Sequence, residues 1–277
     1  MSLTVRVPAS TANLGPGFDT LGMALSQYLD FTFEPVPSPA INDVGATNDE
    51  HHLAIRTFRG AGGTGPASVR ASFPGGRGMG FSGAARVAGI IAAELQRGES
   101  LDDARTTALV SAGELEGHTD NVAASVFGGV MATAGTTVVK IPLGFDPAVV
   151  VWVPTTETST KKSRTSLPSH VAFEDAIFNV GRAATLVAAF AAGDTDALRA
   201  ASEDRLHQAQ RFAHVPESEA AYLSLLAAGA WCAWLSGSGP SIAALCAPHS
   251  VDDMIAILPA TGRCVSATID TEGTRLL

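Results

Sequence analysis

Pro74-Gly75-Gly76-Arg77-Gly78-Met79-Gly80-Phe81-Ser82-Gly83-Ala84-Ala85 follows a strand-like stretch and opens a long Ala-rich helical pattern. Glycines let a backbone approach a ligand closely. The first turn of a helix leaves N–H groups unpaired at the positive end of its dipole. Together these features suit a phosphate. Ser82 adds a hydroxyl at the helix start, able to reach phosphate or a magnesium ion. No Gly-Lys-Ser/Thr is present, so this is not a Walker loop, and the glycine spacing does not make GxGxxG. A Gly-rich turn with Ser82 as a simple N-cap is the alternative reading.

Outward from this segment, strands are expected at Leu3–Val7, Tyr28–Val36, Ala67–Phe73, Val130–Thr133, Thr137–Ile141, Ala148–Val153, Trp231–Leu235, Ile242–Cys246 and Cys264–Ile269. Helices are expected at His51–Phe58, Ser82–Gln96, Leu101–Leu115, Ala172–Ala192, Ser218–Ala228 and Val251–Leu258. Strands and helices mix without a regular βαβ repeat, which predicts an α+β fold. A seam near Pro142–Pro147 divides the chain into residues 1–145 and 146–277.

The chain has 277 residues, 46% hydrophobic and 16% charged, which excludes disordered and collagen-like classes. Its 18 basic and 27 acidic residues give a net charge of −9. A nucleic-acid surface is therefore not expected, since phosphate backbones need an excess of Lys and Arg. The Ala-rich run Ala183–Ala192 is short of a bilayer span and no signal-peptide pattern opens the chain, so a cytoplasmic protein with no membrane partner is expected. Cys232, Cys246 and Cys264 are odd in number and form no CxxC, so they read as small buried hydrophobes. No HExxH or similar histidine pair suggests a metal site.

Three further segments carry polar groups in constrained backbone. Ser236-Gly237-Ser238-Gly239-Pro240-Ser241 is a donor-rich turn between strands, or simply a hairpin loop. Glu116-Gly117-His118-Thr119-Asp120-Asn121 ends a helix. A carboxylate there could hold a metal and Asn121 could contact a hydroxyl. Equally, Gly117 could be a C-cap and the Asp an N-cap for the next helix. Pro8-Ala9-Ser10-Thr11-Ala12-Asn13-Leu14-Gly15-Pro16-Gly17-Phe18-Asp19 sets Asn13 and Asp19 in a Gly/Pro-shaped loop, as a substrate site would, or forms two turns.

In this order the four segments resemble the GHMP kinase family, and its homoserine kinase members in particular. Ser159-Thr160-Lys161-Lys162-Ser163-Arg164, Asp175-Ala176-Ile177-Phe178-Asn179 and Asp204-Arg205-Leu206-His207-Gln208 with Arg211 extend the resemblance from Val5 to about Ile242. It implies two domains, an N-terminal one like ribosomal S5 domain 2 and a ferredoxin-like C-terminal one. It implies ATP- and Mg²⁺-dependent phosphorylation of the L-homoserine hydroxyl, a step of threonine biosynthesis. Carried over, the loop residues Pro74, Gly76, Arg77, Gly78, Met79, Gly80, Phe81, Ser82, Gly83 and Ala84 would hold ATP. Ser82 and Glu116, or else Glu114, would hold Mg²⁺. Asn13 and Asp19 would take the amino end of the substrate, and Arg164 and Arg211 its carboxylate. Thr160 lies near that site, Gly237 and Ser238 close over it, and Asn121 orients the hydroxyl. Asp120 is the nearby carboxylate for a base, or a helix-cap residue. A homodimer is a further possibility.

Two positions depart from the family pattern. Phe81 stands where a first serine is usual, its ring either in the core or narrowing the phosphate site. His52 stands where asparagine is common near the adenine, or is a surface helix start. The alternatives left open are a kinase for another small amino alcohol and a ligand-binding paralogue with impaired ATP use.

Overall fold

The computed structural model describes residues 2–35, 45–158 and 160–277, with the side chains of residues 160–162 outside the described set. Val36, the end of one expected strand, and Ser159 also lie outside the described residues.

The first sheet is built on β1 (Leu3–Ala12) and β2 (Leu21–Phe33), paired antiparallel along their length with a register shift between Pro8 and Ala9. The far half of β2 pairs with β3 (Ala67–Ala71), and its near half with β4 (Val130–Ala134). Beyond β4 lies β5 (Thr137–Ile141). Val5, Val7, Phe31 and Phe33 are fully buried on the strands, the alternation expected where one sheet face is covered. That cover is α1 (Leu53–Gly60), α2 (Phe81–Gln96) and α4 (Asp120–Phe127), with α3 (Leu101–Glu116) packed on α2 and α4. Phe58 of α1 meets Phe31 and Phe33 with ring centroids 5.3 and 5.9 Å apart. Truncating one such buried ring costs about 3–5 kcal/mol.

The second sheet holds β6 (Ala148–Pro154), β7 (Cys232–Leu235), β8 (Ile242–Cys246) and β9 (Gly262–Ala267) in the order β7-β8-β6-β9, all neighbours antiparallel. Between β6 and β7 run α5 (Thr160–Thr165), α6 (Phe173–Ala192), α7 (Leu198–Ala201), α8 (Gln208–Phe212) and α9 (Pro216–Ala227), and α10 (Val251–Ala256) links β8 to β9. This is the strand–helix–strand–strand–helix–strand order of a ferredoxin-like unit. The α+β expectation therefore holds.

The short β10 (Arg275–Leu276) returns to the first sheet beside β1, so the last residues do not stay with the second half. One apolar core runs under both sheets, from Val5 and Phe31 to Val151 and Trp234. Trp234 Nε1 donates to Thr11 Oγ1 at 2.8 Å, and the Gly237 amide donates to the Ala12 carbonyl at 3.1 Å. These bonds clamp the β7–β8 turn onto the end of β1.

Helix α6 is longer than the Ala-rich run within it. By length and composition it is the one helix among the described residues that could cross a membrane. Its inner side buries Asn179, Leu186, Ala189 and Phe190 against the fold, and Glu174, Asp175 and Arg182 interrupt its apolar character. Cys232 and Cys246 are buried and all three cysteines are free. Burial pushes the Cys232 thiol up to about 12, so it stays protonated and inert.

Candidate active site

The Gly-rich segment forms a loop whose carbonyls are tied to the protein. Gly76 accepts from the Thr158 amide, Met79 from the Ser10 amide, and Gly78 from Ser236 Oγ. The first amides of α2 have no acceptor within the helix. Gly80 is the N-cap, with φ +66°, and a Cβ there would stand 3.0 Å from Asn121 Oδ1 and closer still to Ser10 Oγ. No side chain fits, so glycine is required. The N-cap reading of Ser82 does not hold: Ser82 is the second residue of α2, and its hydroxyl donates to Glu116 Oε1.

Glu116 is the last residue of α3, which Gly117 closes in the left-handed conformation. Its Oε1 also lies 2.6 Å from Arg86 Nε, one turn beyond Ser82 on α2. A hydroxyl and a carboxylate oxygen in direct contact are hard donors of the type Mg²⁺ takes, and they fit that ion. Thr119, not Asp120, is the N-cap position of α4, and it makes no side-chain cap bond. Asp120 is the first residue of α4, and its Oδ1 accepts from the Asn121 amide and lies 2.7 Å from His118 Nδ1. Asn121 Oδ1 accepts from Ser10 Oγ at 2.8 Å.

On the other side, Asn13, Leu14 and Asp19 all have positive φ. Such backbone in non-glycine residues costs roughly 1–3 kcal/mol each and clusters at functional sites. Asn13 Oδ1 accepts the Asp19 amide at 3.1 Å, and its Nδ2 donates to the Gly237 carbonyl at 2.9 Å. Asp19 takes a bidentate pair from Arg164 of α5 at 2.7 and 2.8 Å. Arg211 of α8 donates to the same Gly237 carbonyl at 2.9 Å. Burial lowers Arg211 to about 10, with Arg164 adding repulsion, and its Nε has no hydrogen-bond partner. A buried guanidinium with a spare donor calls for an anion. Both guanidiniums lie over the Phe18 ring, at 5.4 and 5.2 Å.

The Asn179 and Asp204 stretches do not reach the cavity; they hold its floor. Asn179 Nδ2 donates to Asp204 and to the Pro16 carbonyl, and Asp204 accepts the amides of Leu206, His207 and Gln208. His207, fully buried, has Nε2 2.8 Å from the Gly15 carbonyl and Nδ1 3.1 Å from Arg211. Burial lowers its pKa, so it stays neutral: Nε2 donates and Nδ1 accepts from Arg211.

One polar cavity of about 80 Å³ gathers Asn13, Asp19, Gly76, Gly78, Gly80, Phe81, Ser82, Gly83, Glu116, Asp120, Asn121, Arg164, Arg211, Gly237 and Ser238. His118 and Thr158 also line it and were not anticipated. Asp19, His118 and Asp120 present ligand atoms within 4.8 Å of one another. Yet Asp19 is engaged by Arg164 and Asp120 by His118, so this group suits an ammonium better than a metal. Burial works against a charged His118, but the hydrogen bond and charge of Asp120, with Asp19 and Glu116, raise its pKa overall.

Several expected residues do not line the cavity. Met79 and Ala84 are buried in the core, and the Ala84 amide is spent on the Gly80 carbonyl. Arg77 is turned away, bonded to the Pro154 carbonyl and paired with Glu157, and Pro74 lies outside the lining. Thr160 opens α5, but its side chain lies outside the described residues. Phe81 packs edge-on against Phe73 and His52, both at 5.8 Å, with only part of its ring at the cavity. His52 is the N-cap of α1, its Nδ1 accepting the Ala54 amide at 3.2 Å.

Comparison with known proteins agrees with this arrangement. The family described as GHMP kinases N terminal domain matches residues 51–129, and GHMP kinases C terminal matches residues 186–264. The homoserine kinase of Leifsonia xyli subsp. xyli is 41% identical over 264 residues, covering 88% of this chain and 81% of that one. The chain belongs to the GHMP kinase family. The Moorella thermoacetica homoserine kinase is 39% identical, covering 87% of this chain and 86% of its own. The crystal structure of homoserine kinase from Cytophaga hutchinsonii superposes with a TM-score of 0.82 at 24% identity, covering 100% of this chain and 97% of that one, which shows the shared fold.

As a GHMP kinase the protein is a phosphotransferase, with ATP as its phosphate donor. His118, Thr158 and Arg86 are the residues that sequence reading missed. His118 stands alone in sequence, where an isolated histidine carries no signal; its position two residues before Asp120 was the available clue. Arg86 was read only as part of an Ala-rich helix, although the i, i+4 spacing from Ser82 puts both on one face.

Proposed function

We propose that the chain transfers the γ-phosphoryl group of ATP to the side-chain hydroxyl of L-homoserine, giving O-phospho-L-homoserine and ADP, a step of threonine biosynthesis. The observation that carries this reading is one cavity with an amino-acid clamp at one end and a phosphate-binding helix start at the other. Its curated relatives named homoserine kinase support the acceptor.

Arg211, buried with a spare donor, and Arg164 take the α-carboxylate. Asp19 and Asp120, with Asn13, take the α-ammonium. The hydroxyl then lies toward Asn121, whose Oδ1 is fixed by Ser10 and whose amide nitrogen orients the nucleophile. The loop amides from Gly76 to Gly80 and the first turn of α2 take the phosphates; Pro74, Arg77, Met79 and Ala84 shape that loop without contributing side chains to it. Magnesium would be held by Ser82 and Glu116, and when bound it neutralises charge on the polyphosphate. The substrate oxygen bonds to Pγ as the bond from Pγ to the bridging oxygen breaks, and the hydroxyl proton passes to a phosphoryl oxygen. Asp120 does not serve as base in this reading, because its Oδ1 is engaged by His118 and the Asn121 amide and the rest of its carboxylate takes the α-ammonium. Positioning and charge neutralisation supply most of the catalysis, as phosphoryl transfer allows.

In this reading residues 1–145 carry the nucleotide and share the amino acid with Arg164 and Arg211 of residues 146–277, in the cytoplasm. A homodimer is part of the proposal, supported by the exposed apolar row Phe173, Ile177 and Val180 on α6. Calorimetric titration tests the acceptor. L-Homoserine should bind, and L-homoserine amide, lacking the carboxylate, should bind at least about tenfold more weakly. Equal binding of the two would contradict the assignment of Arg164 and Arg211. Tighter binding of L-serine or L-threonine would move the reading to another amino alcohol.

A further inference from the structure

Beside the Ser82 end of the cavity a second depression of about 550 Å³ opens between α1, α2 and α3, lined by Leu53, Thr57, Arg86, Ile90 and Leu115 among others. That lies within the roughly 300–1,000 Å³ range of small-molecule pockets. Arg86 lines it one turn beyond Ser82 on α2, beside Glu116, which lines the first cavity. Its Nε lies 2.6 Å from Glu116 Oε1, but the N–H points off that oxygen, and Nε is a buried donor without a hydrogen-bond acceptor. The contact is thus a charge pairing rather than a locked hydrogen bond, and the donor is left wanting a partner.

Several other cations have partners, although Arg77 Nε is likewise a buried donor without an acceptor and Arg56 also lines the depression. Arg77 is bonded to the Pro154 carbonyl and Glu157. Lys140 donates to the carbonyls of Phe127 and Thr271, both at 2.9 Å. Arg97, in the same depression, is held by Glu94 and the Ala61 carbonyl. Arg164 and Arg211 serve the amino-acid end.

We propose that Arg86 is a nucleotide-binding residue, its guanidinium taking oxygens of the ATP polyphosphate and exchanging Glu116 for them when the nucleotide enters. The proposal rests on the kinase reading above. Glu116 is then released toward the metal by the same event that brings the polyphosphate in, so Arg86 couples nucleotide arrival to metal-site formation. With neither bound, Arg86 holds the Glu116 charge in check and limits its repulsion of an incoming polyanion.

The test is calorimetric titration of ADP with magnesium chelated, using the unmodified chain, Arg86→Met, Arg86→Lys, Glu116→Gln and the double variant. Loss of one charge-assisted contact weakens binding roughly tenfold to a hundredfold. Arg86→Met should show that loss and Arg86→Lys a smaller one, with L-homoserine binding unchanged in both. The Arg86→Met loss should persist in the Glu116→Gln background, which a residue that merely props Glu116 would not produce. Glu116→Gln alone should bind metal-free ADP more tightly, because Arg86 is freed. ADP binding by Arg86→Met equal to that of the unmodified chain, or a loss that vanishes in the Glu116→Gln background, would overturn the proposal. Absence of metal-free ADP binding by the unmodified chain would overturn the proposal, and absence with magnesium restored as well would overturn the kinase reading.

Discussion

Asp19 and Arg164, 145 residues apart, form a bidentate ion pair at 2.7 and 2.8 Å that joins the β1–β2 loop to α5. Asp19 sits in left-handed backbone to make it. The pair is partly exposed, so its net contribution to stability is small; its value lies in setting one cation and one anion at fixed places beside the amino-acid end. Arg164→Ala should raise KM for L-homoserine by about tenfold or more and leave KM for ATP within about twofold. Asp19→Asn should do the same. Initial rates with each substrate varied in turn check this; a rise in KM for ATP alone would contradict it.

Phe81 bears on whether nucleotide use is impaired. Its ring meets Phe73 and His52 edge-on and lies against Gly75, where an added Cβ would stand 3.3 Å from Phe81 Cδ1. Phe81→Ser should therefore cost about 1–3 kcal/mol of stability by removing packed apolar surface, without tightening nucleotide binding. Urea unfolding and ADP titration read the two effects separately. Tighter ADP binding in Phe81→Ser would favour a paralogue whose phosphate loop the ring has disabled.

How far the sequence reached is visible in these same residues. Thr137–Ile141 and Ile242–Cys246 read as the strands they are, because β-branched or apolar residues dominate each run, Lys140 alone interrupting the first, between turn signals. The first half of β2 was missed because Gly22, Ser26 and Gln27 interrupt its alternation, and there pairing with β1 and β4 decides the structure. The cavity's walls were legible as four motifs. Its chemistry was less so, since the Glu116–Arg86 contact and the His118–Asp120 pair exist only once α2, α3 and α4 pack together. Met79 and Ala84 belong to the same motif but sit in the core, Met79 from the loop and Ala84 from the buried face of α2.

His207 gives a pH dependence. Burial lowers its native pKa below the ordinary 6.5. The unfolded chain therefore binds this proton first as pH falls. Its contribution to stability is complete above about 6.5 and declines from there down to the depressed native value. His118, with its raised pKa, acts in the opposite sense, losing its contribution as pH rises through that value. Urea unfolding across a series of pH values should show stability falling on acidification just below 6.5. A His207→Gln variant should be less stable overall but show a shallower slope in that window. An unchanged slope would contradict the neutral, buried assignment.

Phe173, Ile177 and Val180 are 76%, 58% and 71% exposed on one side of α6, more apolar surface than a solitary helix face usually leaves open. Val180→Asp should shift the chain from dimer to monomer in sedimentation velocity and leave the thermal midpoint nearly unchanged at low protein concentration. A monomer in the unmodified chain at micromolar concentration would contradict the dimer.

Formation of product tests the central claim most directly. ADP release would be followed with ATP and Mg²⁺ in the presence and absence of L-homoserine, with the product read by phosphorus NMR. The account predicts release that depends on L-homoserine, one new phosphomonoester signal, and loss of both in Asn121→Ala. Binding of L-homoserine and ADP without any phosphomonoester would contradict it.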